Sequence, residues 1–155
     1  MWQRIQTLYL FLGFAINGIL FLLTFALLST DVISHKLSLY GIENPEGGTP
    51  LFTSNYGVIL CVLSMLLSFI IMAMFKKRQV QLKLVRFNLL AQLGFVVFMF
   101  MVADSAAIEL GLAEGFTLKY GVGTYLSILP LIFIFLATRG IKKDEALVKA
   151  ADRIR

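Results

Sequence analysis

A short basic segment between two long apolar runs constrains the fold of this chain more than any other feature. Five basic side chains occupy the segment: Lys76, Lys77, Arg78, Lys83 and Arg86. The apolar runs on either side cover residues 58–75 and 87–103. Lipid hydrocarbon offers no partner to a cation, so the segment must lie outside the hydrocarbon core of a bilayer. Because short loops rich in Lys and Arg stay in the cytoplasm, we expect it on the cytoplasmic side.

The composition indicates a membrane protein with both termini in the cytoplasm. The chain has 155 residues, of which 59% are hydrophobic and 15% are charged, with a mean hydropathy of +0.86. These values are too apolar for a soluble domain of this length. Of the 14 Lys and Arg residues, only Lys36 and Lys119 lie outside the basic segment and the two chain ends. This asymmetry is typical of topology signals rather than of a nucleic-acid-binding surface.

The apolar pattern predicts an all-α membrane protein, a four-transmembrane-helix bundle formed by a single integral membrane domain. The expected spans are about 8–28, 56–75, 84–107 and 121–138. They leave outer loops at 29–55 and 108–120, an inner loop at 76–83 and a cytoplasmic tail at 139–155. A cleaved signal peptide is the alternative for the first run, but its apolar core would be shorter, about 7 to 15 residues.

The two outer loops predict a small β-hairpin or three-stranded sheet at the outer end of the bundle. Polar and apolar side chains alternate over residues 36–41 and again over 116–120, which is a half-buried strand pattern. A turn-forming stretch at 44–48 precedes another candidate strand at 49–52. Three strands packed on helix ends are stable, whereas an isolated pair is marginal in water.

The last span and the tail have two distinctive features. Pro130 removes one backbone donor and leaves the carbonyl of Leu126 without its helical partner, so we expect a kink near Ser127. In the tail, one helical face carries four apolar side chains: Leu147, Val148, Ala151 and Ile154. This pattern predicts a C-terminal amphipathic helix, which either lies on the cytoplasmic membrane surface or docks on a protein partner.

Three amides within the predicted spans are candidates for intramembrane polar contacts. Asn17 lies among small residues of the first span, which allow a neighbouring helix close enough for an amide to bond across the contact. Asn88 and Gln92 are four residues apart and share a helical face, with Asn17 as a candidate partner. Ser64 and Ser68 have the same spacing and can bond back to their own helix. A polar cavity lining is the functional alternative.

The outer end carries a candidate acidic site formed by Asp104 and Glu109. Hydrated surface charges paired with Lys36 or Lys119 are one interpretation, and binding of a cation or a partner is the other. The two carboxylates are five residues apart and do not share a helical face, so paired acid–base catalysis is not expected.

Catalytic and metal chemistry have little support in the sequence. A single cysteine, Cys61, and a single histidine, His35, rule out a cysteine–histidine metal cluster. None of the common nucleophile-elbow, phosphate-loop or zinc-protease motifs is present. We therefore expect neither enzyme activity nor a cofactor. Ion transport also lacks the ionisable side chain that such a path generally needs in the inner part of a span.

The two ends of the chain carry a family resemblance. The opening stretch QRIQTLYL occupies residues 3–10, and the closing stretches IKKDEALV and ADRIR occupy 141–148 and 151–155. Both ends resemble an uncharacterised family of small four-span membrane proteins from Bacteroidota. Trp2 stands where a smaller aliphatic residue is typical of that family. The resemblance implies a location in the bacterial inner membrane and implies no activity.

The same two ends are predicted to meet at the cytoplasmic surface. Their polar side chains form a candidate partner-binding set: Gln3, Arg4, Gln6, Asp144, Glu145, Asp152 and Arg153. The first three are placed to bond to the acidic side chains of the tail. The plainer interpretation is that Arg4 is a topology signal and that the two glutamines lie among lipid headgroups.

Together these features favour an accessory or scaffolding protein of the inner membrane that acts through protein–protein interaction. Its expected partners are the lipid bilayer and another membrane or cytoplasmic protein, with no nucleic acid. The alternative is a small oligomeric transporter or channel. Four spans are too few for most single-chain transport paths, but a dimer supplies more.

The predicted orientation can be tested by labelling intact cells. An amine reagent that does not cross the inner membrane should leave Lys76, Lys77 and Lys83 unmodified until that membrane is opened, because the positive-inside rule holds them in the cytoplasm. Peptide mass spectrometry measures the modification, and Lys119 of the outer loop serves as the accessible control. Modification of the basic segment from outside would show that the chain has the opposite orientation in the membrane.

Overall fold

The computed structural model describes residues 2–29, 34–43, 52–53, 55–74, 77–109 and 117–152. Its helices are α1 (Trp2–Leu20), α2 (Asn55–Ala73), α3 (Arg78–Glu109), α4 (Val122–Leu126) and α5 (Ile128–Asp152). Its strands are β1 (Ala26–Ser29), β2 (Ser34–Ser38), β3 (Gly41–Glu43), β4 (Phe52–Thr53) and β5 (Thr117–Tyr120).

Within the described ranges, three stretches of helix are long and apolar enough to cross a membrane. They cover Asn55–Ala73, Arg78–Ala106 and Val122–Val148, with mean hydropathies of 2.5, 1.9 and 1.7. The apolar part of α1, Ile5–Leu20, is shorter than these three. Three of the four predicted spans therefore correspond to helices of membrane-spanning length.

The prediction for the first span, 8–28, is wrong at its outer end. α1 ends at Leu20, where the amides of Leu22 and Leu23 turn back to carbonyls of its last turn. Phe25 then donates its amide to the carbonyl of Leu37 at 2.8 Å, which places the chain at the sheet. The following stretch ALLS is apolar enough to continue a helix, but it pairs on both sides as the strand β1. Cross-strand pairing satisfies its backbone groups without a helix, so tertiary context overrides local propensity.

The predicted outer sheet is present and is larger than expected. The five described strands form one antiparallel sheet in the order β4-β3-β2-β1-β5. The expected single strand at 36–41 is instead divided between β2 and β3, because the chain reverses through a tight turn. Gly41 ends that turn with a φ of 129°, which favours glycine. The predicted turn at 44–48 lies outside the described residues.

The helix boundaries near the basic segment differ from the prediction. α3 already begins at Arg78, so much of the expected inner loop at 76–83 is helical; Lys76 lies outside the described residues. Gln81 explains the tight connection, because its side-chain amide donates to the carbonyl of Ile71 at 3.1 Å. This bond satisfies one of the carbonyls that the end of α2 leaves without a helical partner.

The last span is interrupted near Ser127, as predicted. α4 ends at Leu126 and α5 begins at Ile128, and the Ser127 hydroxyl donates to the carbonyl of Thr124 at 2.6 Å. The expected separate amphipathic helix in the tail is instead a continuation of α5, which runs to Asp152.

Two apolar clusters form the core. The outer cluster packs the sheet and the end of α1 against α3, and includes Phe25, Leu28 and Phe95. The inner cluster joins α1, α2, α3 and α5 around Leu10 and Ile134. Because the sheet fills the space beyond the short α1, the outer part of the core depends on both helices and strands.

The close approach between the segment before β1 and the start of α4 generates a stability prediction. Gly121 donates its amide to the carbonyl of Phe25 at 2.6 Å, and a Cβ at this position would lie 2.5 Å from the carbonyl oxygen of Thr24. Gly121→Ala must displace backbone and should lower the free energy of unfolding by about 1–3 kcal/mol. Thermal unfolding of the purified protein in detergent measures the change.

Gly94→Ala is the matched control, because a Cβ there meets nothing within 4 Å. It should leave the stability unchanged or raise it slightly, since alanine favours a helix. Equal melting temperatures for Gly121→Ala and the wild type would contradict the packing of Gly121 against Thr24.

Candidate functional site

Polar side chains from three helices meet at the middle of the bundle, between the two apolar clusters. Ser64 is the central residue of α2, which spans Asn55–Ala73. We call the group the polar layer; each of its five members is completely buried: Asn17, Ser64, Ser68, Asn88 and Gln92. The structure thus brings all three amides predicted for intramembrane contacts to one place.

Gln92 is the hub of the polar layer. It exchanges two hydrogen bonds with Asn17: Asn17 Nδ2 donates to Gln92 Oε1 at 3.0 Å and Gln92 Nε2 donates to Asn17 Oδ1 at 3.3 Å. Gln92 Nε2 also donates to the backbone carbonyl of Ser127 at 3.3 Å. One side chain therefore joins α3 to α1 and to the break between α4 and α5. A neighbouring helix thus supports the backbone at the kink.

The Ser64 hydroxyl has one proton to donate, but two amide oxygens lie within hydrogen-bonding distance of it. Its Oγ lies 2.9 Å from Asn88 Oδ1 and 2.7 Å from Gln92 Oε1, and a hydroxyl donates only one hydrogen bond. Turning the Asn88 amide over resolves the competition, because Nδ2 then donates to Ser64, Ser64 donates to Gln92, and Ser68 donates to Asn88. In that arrangement every amide and hydroxyl of the polar layer has at least one partner.

The serines of the polar layer have a different role from the one predicted. The i, i+4 spacing of Ser64 and Ser68 is compatible with bonds to their own helix, yet both hydroxyls contact Asn88 on α3. The contact could have been predicted from spacing, because two hydroxyls four residues apart on α2 can face two amides four residues apart on α3. All five side chains are uncharged at neutral pH, so the layer joins helices and offers no titratable group.

A second polar contact joins the inner ends of three helices. Gln6 Nε2 donates to Asp144 Oδ2 at 2.8 Å, and both residues are buried, with exposed fractions of 6% and 9%. Arg78 Nη1 donates to the backbone carbonyl of Asp144 at 3.2 Å. α1, α3 and α5 are therefore fastened together at the basic end of the bundle, and the expected contact between the two chain ends is present.

The remaining members of the predicted partner-binding set are only partly described. Gln3, Arg4 and Asp152 lie in helices, but their side chains are outside the described part, as is all of Arg153. Glu145 is half-buried on α5, next to Asp144.

The outer acidic candidates are only partly described. Asp104 is exposed and accepts a hydrogen bond from the Tyr120 hydroxyl of β5 at 3.2 Å. Desolvation, and then the Asp104 carboxylate, raise the pKa of Tyr120. Glu109 is the last residue of α3, and its side chain is not among those described. No group of three His, Cys, Asp or Glu side chains within the described ranges could hold a metal ion.

Residues of α5 line the α1/α5 groove and the α3/α5 groove in the described part of the chain. The α1/α5 groove, of about 460 Å³, combines apolar and cationic side chains: Ile5, Gln6, Tyr9, Leu136, Arg139, Gly140 and Lys143. The α3/α5 groove, of about 340 Å³, is entirely apolar: Leu89, Leu90, Leu93, Leu131, Ile132 and Phe135. The sequence analysis did not anticipate Arg139 as part of a groove, because only the tertiary structure brings α1 beside that part of α5.

The fold and the two polar contacts define a class of protein. It is mostly helical, with apolar helices of membrane-spanning length that are joined by buried polar side chains, and a sheet closes one end. The family described as Domain of unknown function (DUF4293) matches residues 2–154. The chain belongs to this family, which confirms the resemblance to a family of unknown function. No curated protein matches the chain.

The reciprocal bonds between Asn17 and Gln92 generate a coupling prediction. Asn17→Leu and Gln92→Leu should each lower the free energy of unfolding by about 1–3 kcal/mol, because each leaves a buried amide without its partner. The double variant should lose less than the sum, with a coupling energy of about 0.6–1.7 kcal/mol. Thermal unfolding of all four proteins measures the cycle.

A matched cycle that pairs Asn17→Leu with Gln79→Leu supplies the control, since Gln79 is exposed on α3. That cycle should be additive. Additivity in both cycles would contradict a direct contact between Asn17 and Gln92.

Proposed function

We propose that this chain is an accessory or scaffolding protein of a bacterial inner membrane that binds another protein through the cytoplasmic end of α5. An exposed apolar pair at that end carries the proposal. Leu147 is 59% exposed and Val148 is 42% exposed, although the preceding turn of the same helix is buried at Ile141 and Asp144. Apolar side chains on a helix that extends past a packed core suit recognition by a groove in a partner.

The proposed membrane arrangement has four crossings with both termini in the cytoplasm. α2 has 19 residues and a length of about 28 Å, close to the thickness of the hydrocarbon core. Its midpoint is Ser64, so the polar layer would lie near mid-depth. α1 would complete its crossing together with β1, whose backbone groups pair within the sheet. The basic ends of α3 and α5 then lie on one side, which the positive-inside rule assigns to the cytoplasm.

The continuity of α5 favours docking on a protein over a tail that lies on the membrane surface. The helix runs from Ile128 to Asp152, a length of about 37 Å. Asp144 fastens it to α1, so the following two turns keep the direction of the bundle and lead away from it. A tail in the plane of the membrane would require a bend after Asp144, whereas the described helix continues through this point.

A transporter or channel receives less support from the same structure. Such a path generally requires ionisable or hydrated polar groups at mid-depth. The polar groups of the polar layer are uncharged and bond to one another, which leaves them satisfied within one chain. We likewise expect no enzyme activity, because the described polar contacts join helices.

The proposal is tested by removing the exposed apolar pair. The Leu147→Ser, Val148→Ser double variant should lose a protein that cross-links to and co-purifies with the wild type from native membranes, because the apolar contact area is removed. The Leu147→Met, Val148→Ile variant keeps the apolar surface and should retain that protein. Quantitative mass spectrometry of the purified cross-linked complex compares the three.

Equal recovery of the same protein from both variants would contradict docking at this end of α5. A wild-type chain that purifies as a single species without a companion, under the same cross-linking, would favour the oligomeric transporter instead.

A further inference from the structure

The α1/α5 groove has a charged end and an apolar end. Arg139 and Lys143 are exposed and lie four residues apart on α5, so they share one helical face. Tyr9 of α1 and Leu136 of α5 line the part of the groove nearer the middle of the bundle. Gly140 allows α1 to form the floor, because a Cβ there would lie 2.8 Å from Cγ of Gln6.

The charged end lies at the depth of phospholipid headgroups if the polar layer is near mid-depth. The Ser127 carbonyl bonds to Gln92 and marks the level of that layer on α5. Arg139 follows Ser127 by 12 residues and Lys143 by 16, which correspond to about 18 and 24 Å along the helix. The headgroup region extends from about 15 to 22 Å from the middle of a bilayer.

The guanidinium of Arg139 is held at the inner edge of that region. Its Cζ lies 5.9 Å from the centre of the Phe135 ring, one turn nearer the middle of the bundle. This cation–π contact orients the side chain toward the hydrocarbon boundary. A cation at this boundary is stabilised by a phosphate, which a guanidinium can bind with two parallel hydrogen bonds.

The apolar end is suited to the first part of an acyl chain. Tyr9 precedes Asn17 of the polar layer by eight residues and Leu136 follows Ser127 by nine, which places both about 12 to 14 Å from mid-depth. The Tyr9 ring stacks on Phe133 of α5, with 6.2 Å between the ring centres, so this wall of the groove is formed by both helices. The groove therefore offers cations at headgroup depth and an apolar wall directly below them.

We propose that the α1/α5 groove binds one anionic phospholipid, with its phosphate at Arg139 and Lys143 and its acyl chain against Tyr9 and Leu136. The charge pattern selects an anionic lipid over a zwitterionic one, because each basic side chain near the membrane surface favours an anionic headgroup. Leu147 of the exposed pair follows Lys143 by one helical turn, but the two proposals depend on different side chains, so either can fail alone.

Lipid capture by the purified full-length chain tests the site. The protein is reconstituted in nanodiscs of mixed phosphatidylglycerol and phosphatidylcholine, and native mass spectrometry measures the ratio of the two lipids that it retains. The wild type should retain phosphatidylglycerol preferentially. Arg139→Gln or Lys143→Gln should lower that preference by about fivefold each, the effect of one basic side chain near a membrane surface. Arg139→Lys keeps the charge and should restore most of it.

Lys83→Gln, Arg86→Gln is the matched control. It removes two exposed basic side chains from the inner end of α3 and changes the net charge as much as Arg139→Gln, Lys143→Gln does. A preserved preference in the control supports a defined site. Equal loss in both double variants would overturn it in favour of diffuse surface charge, as would a wild type without any preference. Soluble glycerol phosphate has a headgroup phosphate but no acyl chain. If it displaced the lipid, the apolar wall would not contribute to binding.

Discussion

The arrangement of this bundle depends on a single amide at its centre. Gln92 bonds to a side chain of α1 and to the backbone where the last helix is interrupted. In a bilayer, apolar side chains alone specify little about how helices pack, because lipid and a neighbouring helix are equally good surroundings for them. A buried amide is different, since it is satisfied only when its partners reach it. The polar layer therefore sets the relative height and rotation of α1, α2 and α3.

The height set by the polar layer explains the mixed architecture of the outer end. Asn17 meets its partners only three residues before α1 ends at Leu20, so the remaining height beside α2 and α3 must be filled by other structure. β1, β2 and β5 fill this space. Both edges of β1 are hydrogen-bonded, because β2 and β5 flank it. Backbone hydrogen bonding within the sheet substitutes for that of a longer helix.

The two ends of the molecule differ in the interactions that close them. At the outer end, backbone pairing within the sheet and apolar packing on α3 complete the core. At the basic end, the bond between Gln6 and Asp144 and the contact from Arg78 fasten three helices while leaving cations exposed. Both proposed binding surfaces lie at this end: the apolar pair on α5 suits a protein, and the α1/α5 groove suits a lipid.

The apolar runs, the interruption before Pro130 and the presence of strands in the outer loops were predictable from the sequence, because each depends on residue type or on spacing along one element. Asn17 was a candidate partner of Gln92 because both are amides within apolar runs, and the packing of α1 on α3 forms the contact. Ala26–Ser29 is a strand because β2 and β5 pair with it, and this was not predictable, since an apolar run of that length is compatible with helix or strand. The α1/α5 groove was likewise not predictable from the sequence, because its lining comes from helices at opposite ends of the chain. Hydropathy indicates which segments have apolar surface to bury, whereas contacts between distant segments determine which residues bury it.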